Sequence, residues 1–114
     1  MLPDSTKFLQ DMLDCITAIQ QSTHSLLPDD YYCNQMLHDS TRWNLAIIGE
    51  ALTQLARSDL ATAERIIGYR DIIGLRNRLI HGYGSIDDEI VWDIIVTHLP
   101  KLRAQLEQLL ANPG

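Results

Sequence analysis

Long stretches of this chain repeat their apolar residues at steps of three and four, a rhythm that suits helices packed on helices. From Ser5 to Ser22, Phe8, Leu9, Met12, Leu13, Ile16 and Ile19 fall on one side of such a helix. Asp4 or Ser5 is placed to cap it. From Asn34 to Arg57, the stripe is Leu37, Thr41, Leu45, Ile48, Leu52 and Leu55. Gly49 interrupts that helix at a cost of about 1 kcal/mol relative to Ala, which predicts a close helix crossing there. Between the two lies SLLPDDYYCN, a loop punctuated by Pro28 in which Tyr31 and Tyr32 start a short turn.

Shorter helices follow. One is expected over Asp59 to Ile67, stopped by Gly68, and another over Tyr69 to His81, stopped by Gly82. Ile86 to Asp88 opens the last with an acidic first turn that complements its dipole, and Ile90, Val91, Ile94, Ile95 and Leu99 lie along it. Pro100 either kinks that helix or begins a new one ending near Leu110, before a frayed ANPG tail. No stretch alternates like a strand for long. The expectation is an all-α fold, an antiparallel bundle of four to five helices, with residues 1–114 as a single domain.

Composition narrows the setting. Hydrophobic residues make up 46% of the chain, enough to fill one core and against disorder. No apolar run nears the roughly 20 residues of a membrane span, and the first residues lack the basic and apolar regions of a signal peptide. A cytoplasmic protein without membrane association is expected. Cys15 and Cys33 stand alone and read as free thiols, buried or half-buried. The net charge of −6 argues against a surface that grips nucleic acid throughout. Yet four of the nine cations, Arg65, Arg70, Arg76 and Arg78, crowd into residues 65–78, opposed there only by Asp71. An acidic body with one local arginine cluster suits a specific phosphate target, or a basic partner surface. It also suits an ordinary solvated helix face.

The informative string is RNRLIHGYG, Arg76 to Gly84. Five residues apart on a continuous helix, Arg76 and His81 point about 140° away from each other. They converge on one phosphate only if the helix ends near His81, or if two copies of the chain share a cleft across a two-fold axis. An imidazole titrates near neutral pH, so it can take a proton from a ribose 2′-hydroxyl or give one to a leaving 5′-oxygen. A guanidinium can hold the phosphate in two hydrogen bonds and offset its growing charge. In a symmetric dimer two His81 side chains divide those roles. Asn77 is placed to orient a phosphate oxygen or the imidazole, and the Tyr83 hydroxyl is reachable from the same cleft. Taken alone, this spacing is weak, because a His after a helical run is commonly a C-cap.

The longer string IIGLRNRLIHGYGSIDDEIVW resembles the HepT-like toxins of the HEPN superfamily, whose signature is R-x4-H-x-Y with a polar residue after the Arg. Here it reads Arg76, Asn77, His81 and Tyr83. The likeness extends upstream to IIGEAL, Ile47 to Leu52, and downstream through Trp92 to the Leu99–Leu102 step, covering most of the chain from Asn34 onward. It implies a homodimer with Arg–His sites along a shared groove, cutting RNA without a metal or other cofactor and inhibiting growth. It also implies a partner, a minimal nucleotidyltransferase antitoxin that transfers AMP to Tyr83, in a system of type VII kind. A bulky anion beside the Arg–His pair blocks substrate and competes for Arg76. The short Gly84-Ser85 loop leaves the groove mouth open, and the acidic trio Asp87, Asp88 and Glu89 either repels RNA or docks a basic antitoxin surface.

Other residues add support or contrast. Glu50, if buried, needs a partner, and an ion pair with Arg76 or Arg78 would position the site; a surface position is the plainer alternative. His24, His38 and His98 share no ligand spacing, so no metal site is expected. Trp43 and Trp92 read as core or dimer-interface anchors ahead of RNA-stacking platforms. The rival functional class is a non-catalytic subunit of a nucleotidyltransferase that binds a nucleotide or phosphate through Arg76 and His81 without cutting. A purely structural bundle leaves the arginine cluster and Tyr83 without a role.

Overall fold

The computed structural model describes residues 1–81 and 86–112. Its elements in chain order are α1 (Pro3–Thr23), α2 (Pro28–Tyr32), α3 (Gln35–Ser58), α4 (Leu60–Glu64), α5 (Tyr69–His81), α6 (Asp88–Asp93), a π-helical turn (Ile94–His98) and α7 (Leu99–Ala111). There is no strand among the described residues, and the fold is the all-α bundle that the periodicity predicts.

The core is built by α1, α3 and α7. Leu9, Met12, Ile16 and Ile19 of α1 meet Leu45, Ile48, Leu52 and Leu55 of α3, and Leu99, Leu102, Leu106 and Leu109 of α7 close it. Val91 and Ile95 extend it toward α6, and Tyr31 plugs its end, fully buried. Polar pins fix the helices in register. Arg103 on α7 donates through Nε to Gln20 Oε1 on α1 (2.8 Å) and through Nη2 to the Thr17 hydroxyl.

Local chemistry moves several expected boundaries. Neither Asp4 nor Ser5 caps α1. Pro3 occupies the first turn and Leu2 precedes it without a side-chain cap. Ser5 is instead buried, and its hydroxyl donates to Asp59 Oδ2 at 2.6 Å. Asp59 caps α4 through the Thr62 N–H and also accepts the Thr62 hydroxyl, so one carboxylate joins the start of α1 to the α3–α4 corner. The Ser5 and Thr62 hydroxyls hold its pKa well below the usual carboxylate range. Helix α4 is shorter than expected, ending at Glu64. Gly68 adopts the left-handed conformation (φ 74°) that glycine favours, and its carbonyl accepts the first bonds of α5. The Pro28 segment forms the short helix α2, and Cys33 beside it is exposed rather than half-buried, while Cys15 is half-buried; both are free thiols.

Pro100 falls in the first turn of a helix of its own, α7, which ends at Ala111, so of the two outcomes expected the new helix is the one observed. The proline cannot donate to the carbonyl four residues back. The chain answers with a π turn, in which the Leu99 N–H reaches back to the Ile94 carbonyl, and α7 continues from there.

Helix α5 is different. None of its residues is buried. Ile72, Ile73, Leu75 and Leu79 pack on the core only partly. The backbone just before it is tied to α7, the Ile67 N–H donating to Gln105 Oε1 at 2.7 Å. Five residues beyond its end, the Ile86 carbonyl accepts from Arg42 Nη2 on α3 at 2.9 Å. Helix α5 therefore returns toward the first half of α3, antiparallel to it.

Candidate active site

Arg76 lies where α5 crosses α3. A methyl group built on Gly49 would stand 2.1 Å from Arg76 Cβ, 2.8 Å from its Cγ and 3.3 Å from its Cα. The close crossing expected from Gly49 is thus present, and the side chain that fills it belongs to the motif arginine. Next along α3, Glu50 Oε2 is 2.5 Å from Arg76 Nη2. On α5 itself Arg76 Nη1 donates to Asn77 Oδ1 at 2.8 Å. Of the two partners considered for Glu50, Arg76 is the one observed. The pair is not sealed off: the arginine side chain is 24% exposed and the glutamate 41%. A guanidinium has five N–H donors. With one each given to Glu50 and Asn77, further Nη hydrogens remain for an anion, while Nε is buried without a hydrogen-bond partner.

His81 is the last residue of α5 and is exposed. Because α5 is helical throughout, Arg76 and His81 leave it about 140° apart. Arg76 leans onto α3, whereas His81 is exposed at the end of the helix. One protomer thus offers the guanidinium and the imidazole from different sides of one helix, and that helix ends at His81, the first of the two conditions for bringing such groups together. Arg78 is exposed and lies on the rim of a groove of about 460 Å³ lined by Ile67, Ile72, Leu75, Ile90 and Leu102. Tyr83, and the Gly82 expected to stop α5, lie outside the described residues, as does the Gly84-Ser85 loop. Among the described residues no group of His, Cys, Asp and Glu side chains is arranged to hold a metal ion.

The acidic trio is mostly engaged within the chain. Asp87 caps α6 by accepting from the Glu89 N–H at 2.9 Å. Asp88 accepts from Arg42 Nη2 at 3.0 Å and lies 3.5 Å from His38 Nδ1. His38 Nε2 in turn meets the Tyr31 carbonyl at 2.8 Å. Burial, and then the nearby Asp88 charge, push the Tyr31 phenol up to about 12. This network fastens Ile86, just downstream of the motif, to α2 and α3. Sequence reasoning missed it because Asp88 lies 46 residues from Arg42 and further still from His38, and the members follow no period. Trp92 is half-buried with its ring 5.6 Å from that of Tyr31, as an anchor should be. Trp43 is not in the core: it is 69% exposed.

Comparison with known proteins settles the kinship. The family described as ribonuclease HepT-like matches residues 12–109, most of the chain. The chain belongs to the HepT-like ribonuclease family. A probable ribonuclease HepT of Thermococcus cleftensis is 26% identical over 102 residues, covering 90% of this chain and 92% of that protein. A putative RNase of Methanocaldococcus jannaschii is 29% identical over 104 residues, covering 91% and 94%. A putative RNase of Caldanaerobacter subterraneus is 28% identical over 82 residues, 72% of each chain. No solved structure matches. The HepT-like kinship agrees with the all-α bundle. None of the helices is long and apolar enough to cross a membrane among the described residues.

Proposed function

We propose that this HepT-like chain is a metal-independent endoribonuclease, acting as a cytoplasmic, single-domain homodimer and as the toxin of a type VII-like toxin–antitoxin pair. The observation that carries the reading is the motif arginine pinned between Gly49 and Glu50 with part of its guanidinium exposed, on the helix that ends in an exposed His81. A guanidinium held in this way loses little freedom when it takes a phosphate, and its charge stabilises the phosphorane-like transition state. One His81 removes the proton of the ribose 2′-hydroxyl. The 2′-oxygen then bonds to phosphorus, the bond to the 5′-oxygen breaks, and that oxygen takes a proton from the His81 of the second protomer. The products are a 2′,3′-cyclic phosphate and a free 5′-hydroxyl. Asn77 holds Arg76 from its own helix, Glu50 positions it from α3, and Arg78 adds charge near the phosphate path.

A second protomer is central, because one α5 points the two groups apart. The incompletely covered groove beside α5 is consistent with pairing, since exposed apolar surface of this kind marks contact sites. Neutralisation follows from AMP transfer by a minimal nucleotidyltransferase antitoxin. The Tyr83 oxygen attacks the α-phosphorus of ATP, pyrophosphate leaves, and the phenolic proton is released. The added phosphate competes for Arg76.

Labelled RNA incubated with the pure protein in EDTA is expected to give fragments ending in 2′,3′-cyclic phosphate. Tight binding with intact RNA would instead favour the non-catalytic subunit. Dimers mixed from one unaltered and one His81→Ala chain should cut far below half the rate of the unaltered dimer, because each cleavage draws on the His81 of both protomers. Half the normal rate, as two independent sites would give, would remove the two-protomer site. Intact mass after incubation with the antitoxin and ATP should show one added AMP on Tyr83; an adduct elsewhere refutes that position.

A further inference from the structure

Trp43 is the exposed aromatic that neither the core nor the Arg76 site absorbs. It is 69% exposed, an unusual position for the largest side chain. Its place relative to the motif follows from helix geometry. Trp43 precedes Glu50 by seven residues, which returns it to nearly the same side of α3, about 10 Å along the axis. Because α5 runs antiparallel to α3 and crosses it at Gly49 and Arg76, five steps along each helix bring position 44 level with His81. Arg42, the preceding residue, holds the Ile86 carbonyl five positions past His81, which confirms that this end of α3 lies at the His81 end of α5. Trp43 therefore lies on the Glu50 side of α3, toward the end of α5 that carries His81.

We propose that Trp43 is a stacking platform for a base of single-stranded RNA, seating the nucleotide next to the scissile phosphate. The inference rests on the ribonuclease reading and deepens it by naming what is bound: an unpaired base. A base presents a flat π-face next to an anionic phosphate, and here an exposed indole shares the side of α3 that carries Glu50, the partner of Arg76. Trp43 also sits among polar neighbours, with Asp39 and Ser40 exposed beside it and Asn44 half-exposed. It is separate from the apolar groove of Ile72, Leu75 and Leu102, where a broad protein contact would be sought. A lone aromatic in a polar, cation-flanked setting fits a base better than a second protein surface.

The test uses the full chain. With a labelled single-stranded RNA, Trp43→Ala should raise KM by between about five- and a hundredfold, with kcat changed far less. Trp43→Phe, which keeps a stacking ring, should restore most of the loss. In the cleavage-dead His81→Ala protein, the same RNA should quench tryptophan fluorescence. The quench should vanish when Trp43→Phe is added, since Trp92 remains half-buried against Tyr31. An unchanged KM in Trp43→Ala overturns the proposal, as does a quench that survives Trp43→Phe. A shift of Trp43→Ala to a smaller sedimenting species overturns it in favour of a protomer contact. If the unaltered protein cuts no RNA but RNA still quenches Trp43, the ribonuclease reading fails and the stacking site stands.

Discussion

The α1–α3–α7 layer and helix α5 divide the work of this small protein. In the first, four large apolar side chains from each of α1 and α3 are sealed from solvent, and Leu9, Leu52 and Leu106 have no exposure at all. In the second, no residue is buried, yet the motif arginine, asparagine and histidine all lie on it. The single tight point between them is Gly49 against Arg76. The lesson is that stability is concentrated where chemistry is absent, and that one crossing transmits the position of the scaffold to the site. Changes in α5 should cost activity, changes in the core should cost stability, and a change at the crossing should cost both.

The largest expected effect is on activity. Arg76→Ala keeps the Cβ that packs on Gly49 and removes the guanidinium. Cleavage should fall by about 10²- to 10³-fold while the unfolding midpoint moves little. A large fall in the midpoint would break the division just drawn. The core gives the mirror image. Leu52→Ala, at a fully buried position, should cost about 2–5 kcal/mol in urea unfolding, a large share of the about 5–15 kcal/mol typical of a domain. At a temperature where the variant is still folded, its cleavage rate should stay near normal.

Gly49→Ala sharpens the comparison, because two effects oppose each other there. Alanine favours a helix by up to about 1 kcal/mol. The added methyl, however, meets Arg76 Cβ and Cα, atoms that cannot swing away as a side-chain end can, and such overpacking costs about 1–3 kcal/mol. Stability should fall slightly, and cleavage by up to about 10²-fold, because the guanidinium is displaced. A more stable and fully active variant would mean that α5 slides freely on α3.

The smallest effect lies furthest from the site. Asp59, held by Ser5 and Thr62, is more acidic folded than unfolded. A depressed carboxylate stabilises the fold above its unfolded pKa, and that contribution is lost as pH falls through the folded value. The urea midpoint of Asp59→Asn should therefore lie below that of the unaltered protein at pH 7. The gap should close as pH drops below about 4. Activity at pH 7 should not change.

These contrasts also show what the chain discloses before folding. The apolar rhythm of α1 and α3 and the span of α5 from Tyr69 to His81 are legible, because each is a local matter of period or of a stop signal. Gly49 was readable as a crossing, but its partner was not, since Arg76 is 27 positions away and a contact of that kind leaves no periodic trace. For the same reason Ser5 looked like a cap and is in fact a ligand of Asp59, 54 residues on. Asp88 looked like surface charge and is tied to Arg42 and His38. Trp43, read as a core or dimer-interface anchor, is not in the core, since a large apolar side chain on an amphipathic helix need not face it. The motif itself, Arg76, Asn77 and His81, was visible throughout, and Glu50 was readable as a partner of Arg76 or Arg78; which of the two it holds took the fold to show.

The most direct measurement is the cleavage rate of His81→Ala on one labelled RNA in EDTA, beside that of the unaltered protein. An exposed imidazole at the end of an unburied helix should leave the fold intact when removed, while its loss as base and acid lowers the rate by about 10²- to 10⁴-fold. A folded His81→Ala protein that cuts at the normal rate would contradict the account.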